Sequence, residues 1–494
     1  MTSAPNPPWP ACSQPFGAVW AMMVGFFLIV VDSTVVAVGN PVIKQEFAAT
    51  YEAVIWATSA YLLMFAVLLL VGGRLGDRFG PKNVYLAGLA LFTAASLWCG
   101  MSGSIGMLIA GRVAQGVGAA LLTPQTLSVV TRTFPAERRG VAMSIWGATA
   151  AIGMFVGPLA GGLLVDGLGW RWIFFLNVPV GVLGILLARR LVPALPGRRH
   201  RFDVVGVLLS MAGIGLIVFG VQEGRNYDWG HWIWGCLVGG LLLLAVFVIW
   251  QSVQRHEPLV PLKLFGHRDF SLANAGIGLT SFAVAAFVVP LMFYLQEVRG
   301  MSATHAALVT VPLAIATGVL APIAGRLVDR AHPRAVVGPG FAAMTVALVW
   351  LSLEMDPATP IWRLLLPLTV IGAAGAFTWE PLAAIASRTL PSDLAGAGSA
   401  VYNTTRQVGA VLSSASIVAV MTALLDPHLG DGAGKISGPL KESFAGAMAQ
   451  SMLLPAFAAG LGAITTLFFV AHPHAPRRLT TVKGQPELNA STAP

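Results

Sequence analysis

The sequence is a succession of long apolar runs separated by short polar stretches. Fourteen runs reach the roughly 20 mostly apolar residues that a helix needs to cross a bilayer. They span about 16–40, 51–73, 83–102, 105–130, 141–165, 171–190, 203–222, 232–251, 270–296, 305–328, 336–354, 361–386, 397–424 and 447–471. The pattern predicts an all-α integral membrane protein with 14 transmembrane helices. An even number of crossings returns both termini to one side.

The loops indicate which side that is. Those after helices 2, 4, 6, 8, 10 and 12, with the C-terminal tail, hold 21 of the 30 Lys and Arg, against 7 in the alternate loops. Arg112 and Arg406 fall inside helices. Basic residues accumulate on the cytoplasmic side of membrane proteins, so both termini are expected in the cytoplasm. Lys44, just after a first helix that no Lys or Arg precedes, is the one local conflict.

One short polar stretch occurs twice. GGRLGDRFGPKN starts at residue 72 and GRLVDRAHPRAV at residue 325, so Gly73 aligns with Gly325, Asp77 with Asp329, Arg78 with Arg330 and Pro81 with Pro333. Duplicated halves are a mark of secondary transporters. Two six-helix repeats alone would bring the copies closer together than this, and the surplus equals one hairpin of two helices. The expected organisation is an N-terminal tail (1–15), a six-helix bundle (16–200), a central two-helix hairpin (201–255), a second six-helix bundle (256–471) and a cytoplasmic tail (472–494).

Composition narrows the alternatives. Residues are 56% hydrophobic and 10% charged, against roughly 25% charged in soluble domains, and mean hydropathy is +0.76. A net charge of +9 is compatible with nucleic-acid binding, but the basic residues sit in loops between spans and read as topological. The three cysteines, Cys12, Cys99 and Cys236, are widely spaced and suggest neither a disulfide framework nor a metal site. The first fifteen residues lack Lys and Arg, so the first run is expected to be a mature helix and not a signal peptide. No glycine loop precedes a lysine in the P-loop pattern, which excludes ATP as the driving force. No cofactor and no enzymatic activity are expected.

Charge inside the spans is sparse and therefore informative. Asp32, Arg112, Glu380 and Arg406 lie deep in apolar runs, where a charge costs roughly 2.5–3.5 kcal/mol on insertion scales. Each must face a partner or water. Asp32 and Arg112 reach comparable depths from opposite sides, so a pair is geometrically possible, either as a fixed salt bridge or as a site that exchanges a proton. Glu380 and Arg406 also share a depth and form either an inert pair or a proton or cation site. Helix 5 carries Gly153, Gly157 and Gly161 four apart on one face, with Pro158 and Gly162 beside them, a face suited to close helix packing. In the duplicated stretch, Gly73, Gly76 and Gly80 allow close approach of helix ends. Asp77 there can cap a helix or pair with a base, while Arg78 and Lys82 stay on the cytoplasmic face. Met22, Met23, Phe26, Phe377 and Trp379 suit either a pocket for varied ligands or ordinary packing.

In order along the chain, GRLGDRFGPK, RVAQGVGAALLTP, GMFVGPLAGG and WRWIFFLNVPVG resemble the major facilitator superfamily, and more narrowly its fourteen-helix drug:proton antiporter family. IVVDSTVVAVGNPVI at 29–43 and NTTRQVG at 403–409 are similar to that family's helix 1 and helix 13 stretches. The likeness covers about residues 20–470. It is looser in the second half, where Val328 replaces a glycine of the loop motif and Ala331-His332 replaces Phe79-Gly80. The resemblance implies proton coupling at Asp32 and Arg112, an exporter signature in helix 5, and a conformational switch at the 72–83 stretch.

The expected function is proton-coupled export of lipophilic compounds, cationic ones among them, by a monomer in a bacterial inner membrane. Its partners are a small-molecule substrate, protons and the lipid bilayer. The rival readings are export of an endogenous lipid, peptide or metabolite on the same fold and, in a different class, a non-transporting receptor or scaffold.

Overall fold

A computed structural model describes residues 15–134, 136–197, 203–254, 258–328, 330–388, 390, 394–425 and 439–469. Fourteen spans cross the molecule. They are α1 (Pro15–Phe47), α2 (Tyr51–Phe79), α3 (Pro81–Gly100), α4 (Ile105–Thr133), α5 (Ala136–Leu168), α6 (Trp172–Leu191) and α7 (Val204–Glu223). The rest are α8 (His231–Val253), α9 (Arg268–Val298), α10 (Ala303–Val328), α11 (Pro333–Glu354), α12 (Ile361–Arg388), α13 (Ala395–Leu424) and α14 (Pro439–Thr466). No strand occurs among the described residues.

Three spans are interrupted, at Leu176, Thr310 and Met452. Each break lies two or three residues ahead of a proline (Pro179, Pro312, Pro455), which has no N–H to donate and crowds the preceding turn. The last turn of α9, Tyr294–Val298, is π-helical.

The helix ends differ from the sequence expectation in two places that matter. The duplicated stretch at 72–83 is not a loop: α2 continues to Phe79 and α3 starts at Pro81. Gly80 alone breaks the helix, at φ 88°, a left-handed conformation that only glycine adopts freely. Likewise, α14 begins at Pro439 rather than near 447, because its first turns bury Phe444, Ala445 and Met448 on one side although Lys441 and Glu442 lower the local hydropathy.

Small residues set which helices touch. A side chain on Gly72 would lie 2.1 Å from the Ala120 carbonyl oxygen, and one on Gly116 would lie 2.5 Å from that of Tyr61, so α2 and α4 meet backbone to backbone. Gly372 meets Leu313 in the same way across α12 and α10, and Gly409 meets Gly278 across α13 and α9. Without a hydrophobic drive between helices in lipid, such close packing is a main source of association. The α7–α8 pair packs through α7 against both α2 and α13, while α8 turns Leu241, Leu242, Ile249 and Val253 outward.

One end of the molecule carries the helix connections nearest the termini (the terminal face); the other is the distal face. Distal-end residues of α1–α6, such as Val35, Ile43, Val54, Leu108 and Phe174, share one continuous core with α9–α14. Terminal-side residues such as Met22, Phe26, Phe65, Tyr85 and Phe92 form a separate core, joined by Ala410, Val411 and Ala415 of α13. Polar links follow the same division. Gln296 donates to the Val38 carbonyl at 2.9 Å, Tyr51 donates to Glu297 at 2.8 Å, and Ser59 and Ser414 share a hydrogen bond at 2.7 Å. The two sets of helices are thus sealed together at the distal end.

Candidate functional site

The polar residues of α1 show why Asp32 must look beyond its own helix. Ser33 and Thr34 return their hydroxyls to the carbonyls of Val30 and Val31 within the helix. A carboxylate cannot do this, having no proton to give. Asp32 is fully buried and faces Arg112 of α4, also fully buried, at 2.5 Å.

Three more helices complete the site. Arg112 Nε donates to the Ala57 carbonyl on α2 at 2.9 Å, and its Nη1 donates to Gln115 at 2.8 Å. Gln115 Nε2 donates to Asp32 at 3.2 Å and to Ser96 of α3 at 2.7 Å. Asn177 of α6 donates to Asp32 at 3.1 Å. The Tyr61 ring lies under the guanidinium at 4.2 Å, a cation–π contact. Asp32 therefore accepts from Arg112, Gln115 and Asn177, while Arg112 Nη2 has no acceptor among the described residues. Arg112 and Gln115 both tie α4 to Asp32 of α1, the first through a charge-assisted contact to one carboxylate oxygen and the second through the other.

The sequence reading did not pick out Gln115, Asn177, Ser96 or Tyr61. A signal was available: Gln115 lies one turn beyond Arg112, hence on the same face, and Asn177 is the one neutral amide in the apolar opening of α6.

Glu380 and Arg406 do not form the pair considered from their depths. Among the described residues neither makes an ion pair or a hydrogen bond, and Arg406 Nε is shut from solvent without an acceptor. Glu380 is exposed. Tyr402 lies one turn before Arg406 on α13, hence on the same face. Tyr61, whose ring lies under Arg112, is on α2, which packs against α13.

The duplicated stretch acts as a packing element. Gly76 lies against Gln125 of α4, whose amide donates to the Gly72 carbonyl at 2.8 Å. Gly73, by contrast, has room: an added Cβ would meet Pro124 at 3.7 Å. Asp77 pairs with Arg132 at 2.5 Å on the last turn of α4 instead of capping a helix. The Arg78 carbonyl lies against Gly197, and Lys82 donates to the Arg189 carbonyl at 2.8 Å. In the second copy Asp329 lies outside the described residues, and His332 caps α11 by accepting from Arg334 N–H at 3.1 Å.

The α5 glycines meet α1 residue by residue: Gly153 against Val30, Gly157 against Thr34 and Gly161 against Val35. Pro158 sits inside this face. Gly162 turns to the second set of helices, where an added Cβ would lie 2.7 Å from Thr304 Cα. Met22, Met23 and Phe26 are buried in the core; Phe26 stacks on Trp146 of α5 at 4.5 Å. Phe377 and Trp379 are partly buried. Among the described residues no group of His, Cys, Asp and Glu could hold a metal ion.

Comparison with known proteins agrees with this architecture. The sequence pattern of the Major Facilitator Superfamily matches residues 22–414. An uncharacterised transporter of that type from Mycobacterium tuberculosis is 54% identical over 470 residues, covering 92% of this chain and 81% of the relative. The tetracenomycin C resistance and export protein of Streptomyces glaucescens is 32% identical over 425 residues, covering 85% of this chain and 77% of the relative. Among solved structures, a bacterial homologue of the human lysosomal transporter Spinster, inward-facing and unoccupied, aligns with TM-score 0.66 at 18% identity. That alignment covers 92% of this chain and 97% of the other. At that identity the likeness is one of fold.

Proposed function

The chain belongs to the major facilitator superfamily, a family of membrane transporters, and from that footing we propose that it exports lipophilic compounds in exchange for protons by alternating access. The observation that carries the reading is the fully buried Asp32–Arg112 pair, a carboxylate that joins α1 to α4 inside the membrane. Relatives named for resistance and export support the direction, as does the α5 glycine face packed along α1.

On this reading both termini lie in the cytoplasm and the distal seal closes the outward side, leaving the protein inward-facing. The α1–α6 and α9–α14 bundles rock against one another, with the α7–α8 hairpin carried as a link between them. Substrate enters between the bundles and meets polar groups of α2, α12 and α13, Tyr61, Arg406 and Glu380 among them. Arrival of a proton at Asp32 frees Arg112 and lets α1 and α5 move together. A proton moving down ~150 mV releases about 3.5 kcal/mol, enough for roughly a 300-fold gradient when one proton is exchanged for one neutral molecule.

Reconstituted protein tests this. Counterflow of lipophilic dyes in proteoliposomes, accelerated by an imposed pH gradient, is expected. If no dye moves while a metabolite of the producing cell does, the exporter serves an endogenous compound. If nothing moves, the transport reading fails.

A further inference from the structure

The two intramembrane arginines differ in a way that bears on substrate. Arg112 has a carboxylate, an amide oxygen and a backbone carbonyl as acceptors. Arg406, twelve residues into α13, has none among the described residues, and its Nε is sealed from solvent. A guanidinium keeps its charge at any physiological pH, and a buried charge without a partner is strongly unfavourable. Its neighbours deepen the imbalance. The hydroxyls of Tyr61 and Tyr402 are likewise buried and without hydrogen-bond partners among the described residues; Tyr402 lies one turn before Arg406 on α13, and Tyr61 is on α2, which packs against α13. Three donors from α2 and α13 therefore gather where no acceptor is supplied. The side chain as a whole is only partly buried, so a ligand can reach it.

We propose that Arg406, with Tyr61 and Tyr402, docks an anionic group of the transported compound, so that the substrate class is lipophilic acids and amphoteric molecules. A carboxylate, phenolate or enolate brings the two or more acceptor lone pairs that these donors lack, and the guanidinium fork suits such planar anions. Glu380, on α12, is exposed and makes no ion pair or hydrogen bond among the described residues. It accepts an amine on the same molecule where one is present. Simple lipophilic cations satisfy Glu380 alone and leave Arg406 as it was. Through Tyr61 the anion site adjoins Asp32 and Arg112, which places substrate charge next to the proton site.

This inference rests on the exporter reading for its meaning but is tested by binding alone. The full-length protein in nanodiscs is titrated with 11-(dansylamino)undecanoic acid and with its methyl ester, with empty nanodiscs subtracted. The two probes share length and fluorophore and differ in charge. The acid is expected to bind at least about tenfold tighter. Arg406→Gln should bring the two affinities together, Arg406→Lys should keep part of the preference, and Tyr402→Phe should weaken the acid several-fold more than the ester. Equal affinities in the wild-type protein overturn the proposal without any variant, as does an acid preference that survives Arg406→Gln. Acid-selective binding with no gradient-driven transport would remove the exporter reading alone. Transport without acid selectivity would remove this proposal alone.

Discussion

Asp166, near the end of α5, caps the start of α10: its two carboxylate oxygens accept from the backbone N–H groups of Ala303 at 3.0 Å and Thr304 at 2.8 Å. The cap joins the two sets of helices at the distal face, beside Gly162, where α5 already touches the Thr304 backbone. An N-cap carboxylate is worth about 0.5–2 kcal/mol. If alternating access parts the distal ends of α5 and α10, that energy weights the closed conformation over the open one. Asp166→Ala should then shift the population toward distal opening by up to about thirtyfold. Spin-label distances between the distal ends of α5 and α10 check this; an unchanged distance distribution would reduce the cap to local structure.

The glycines of α2 make a sharper contrast. Gly72→Ala drives a methyl group into the Ala120 carbonyl, 2.1 Å away, while Gly73→Ala meets nothing closer than 3.7 Å. Overpacking costs typically about 1–3 kcal/mol. Alanine at an unobstructed helical position gains up to about 1 kcal/mol over glycine. Thermal melting in detergent should therefore show Gly72→Ala destabilised and Gly73→Ala neutral or stabilised. Equal shifts would contradict the close α2–α4 contact.

Glu380 and Arg406 should behave as independent residues in stability. With no ion pair between them, Glu380→Gln should leave the melting temperature nearly unchanged, and the double variant with Arg406→Gln should equal the sum of the singles within about 0.5 kcal/mol. Rescue of one neutralisation by the other would show that they pair.

How much of this was legible in the sequence depended on the kind of signal. Spans are fixed by runs of about 20 apolar residues, and all fourteen were readable. The 72–83 stretch was misjudged because glycines and charges normally mark a loop. Here Gly72 and Gly76 are helical residues that give way to Ala120 and Gln125, and only Gly80 breaks the chain. The Asp32–Arg112 pair was accessible from depth and charge type, whereas for Glu380 and Arg406 depth left a pair and a ligand site both open, since it carries no information on which way a helix face turns. Neutral partners such as Gln115 and Asn177 were missed because only the charged residues of the spans were followed, although Gln115 lies one turn from Arg112 on the same face of α4. The Tyr51–Glu297 link joins residues 246 apart, which no local pattern announces.

The α7–α8 hairpin has an acid-sensitive clasp. Asp203, at the N-cap of α7, loses solvation through burial, which alone would raise its pKa. Donation from Gln251 at 2.7 Å, the Gly206 N–H at 2.9 Å and Trp250 at 2.8 Å outweighs this and holds the carboxyl below its ordinary value. A depressed folded value means that the stabilisation is present above the unfolded pKa of about 3.9 and is lost as pH falls through the folded value. Asp203→Asn should therefore melt below wild type by a constant margin from pH 8 to 5, and the margin should shrink below about pH 4. A margin independent of pH would show that the charge contributes nothing.

The central claim is that Asp32 takes up and releases the coupling proton during transport, with Arg112 holding its charged form. Asp32→Asn keeps the size of the side chain and removes the titratable group, so it separates coupling from substrate handling. Both proteins are reconstituted, and one compound that exchanges in counterflow is followed with and without an imposed pH gradient. The account predicts that the variant retains gradient-free exchange, which shows that it is folded and binds substrate, and loses gradient-driven accumulation. Accumulation in the variant equal to that of the wild type would contradict it.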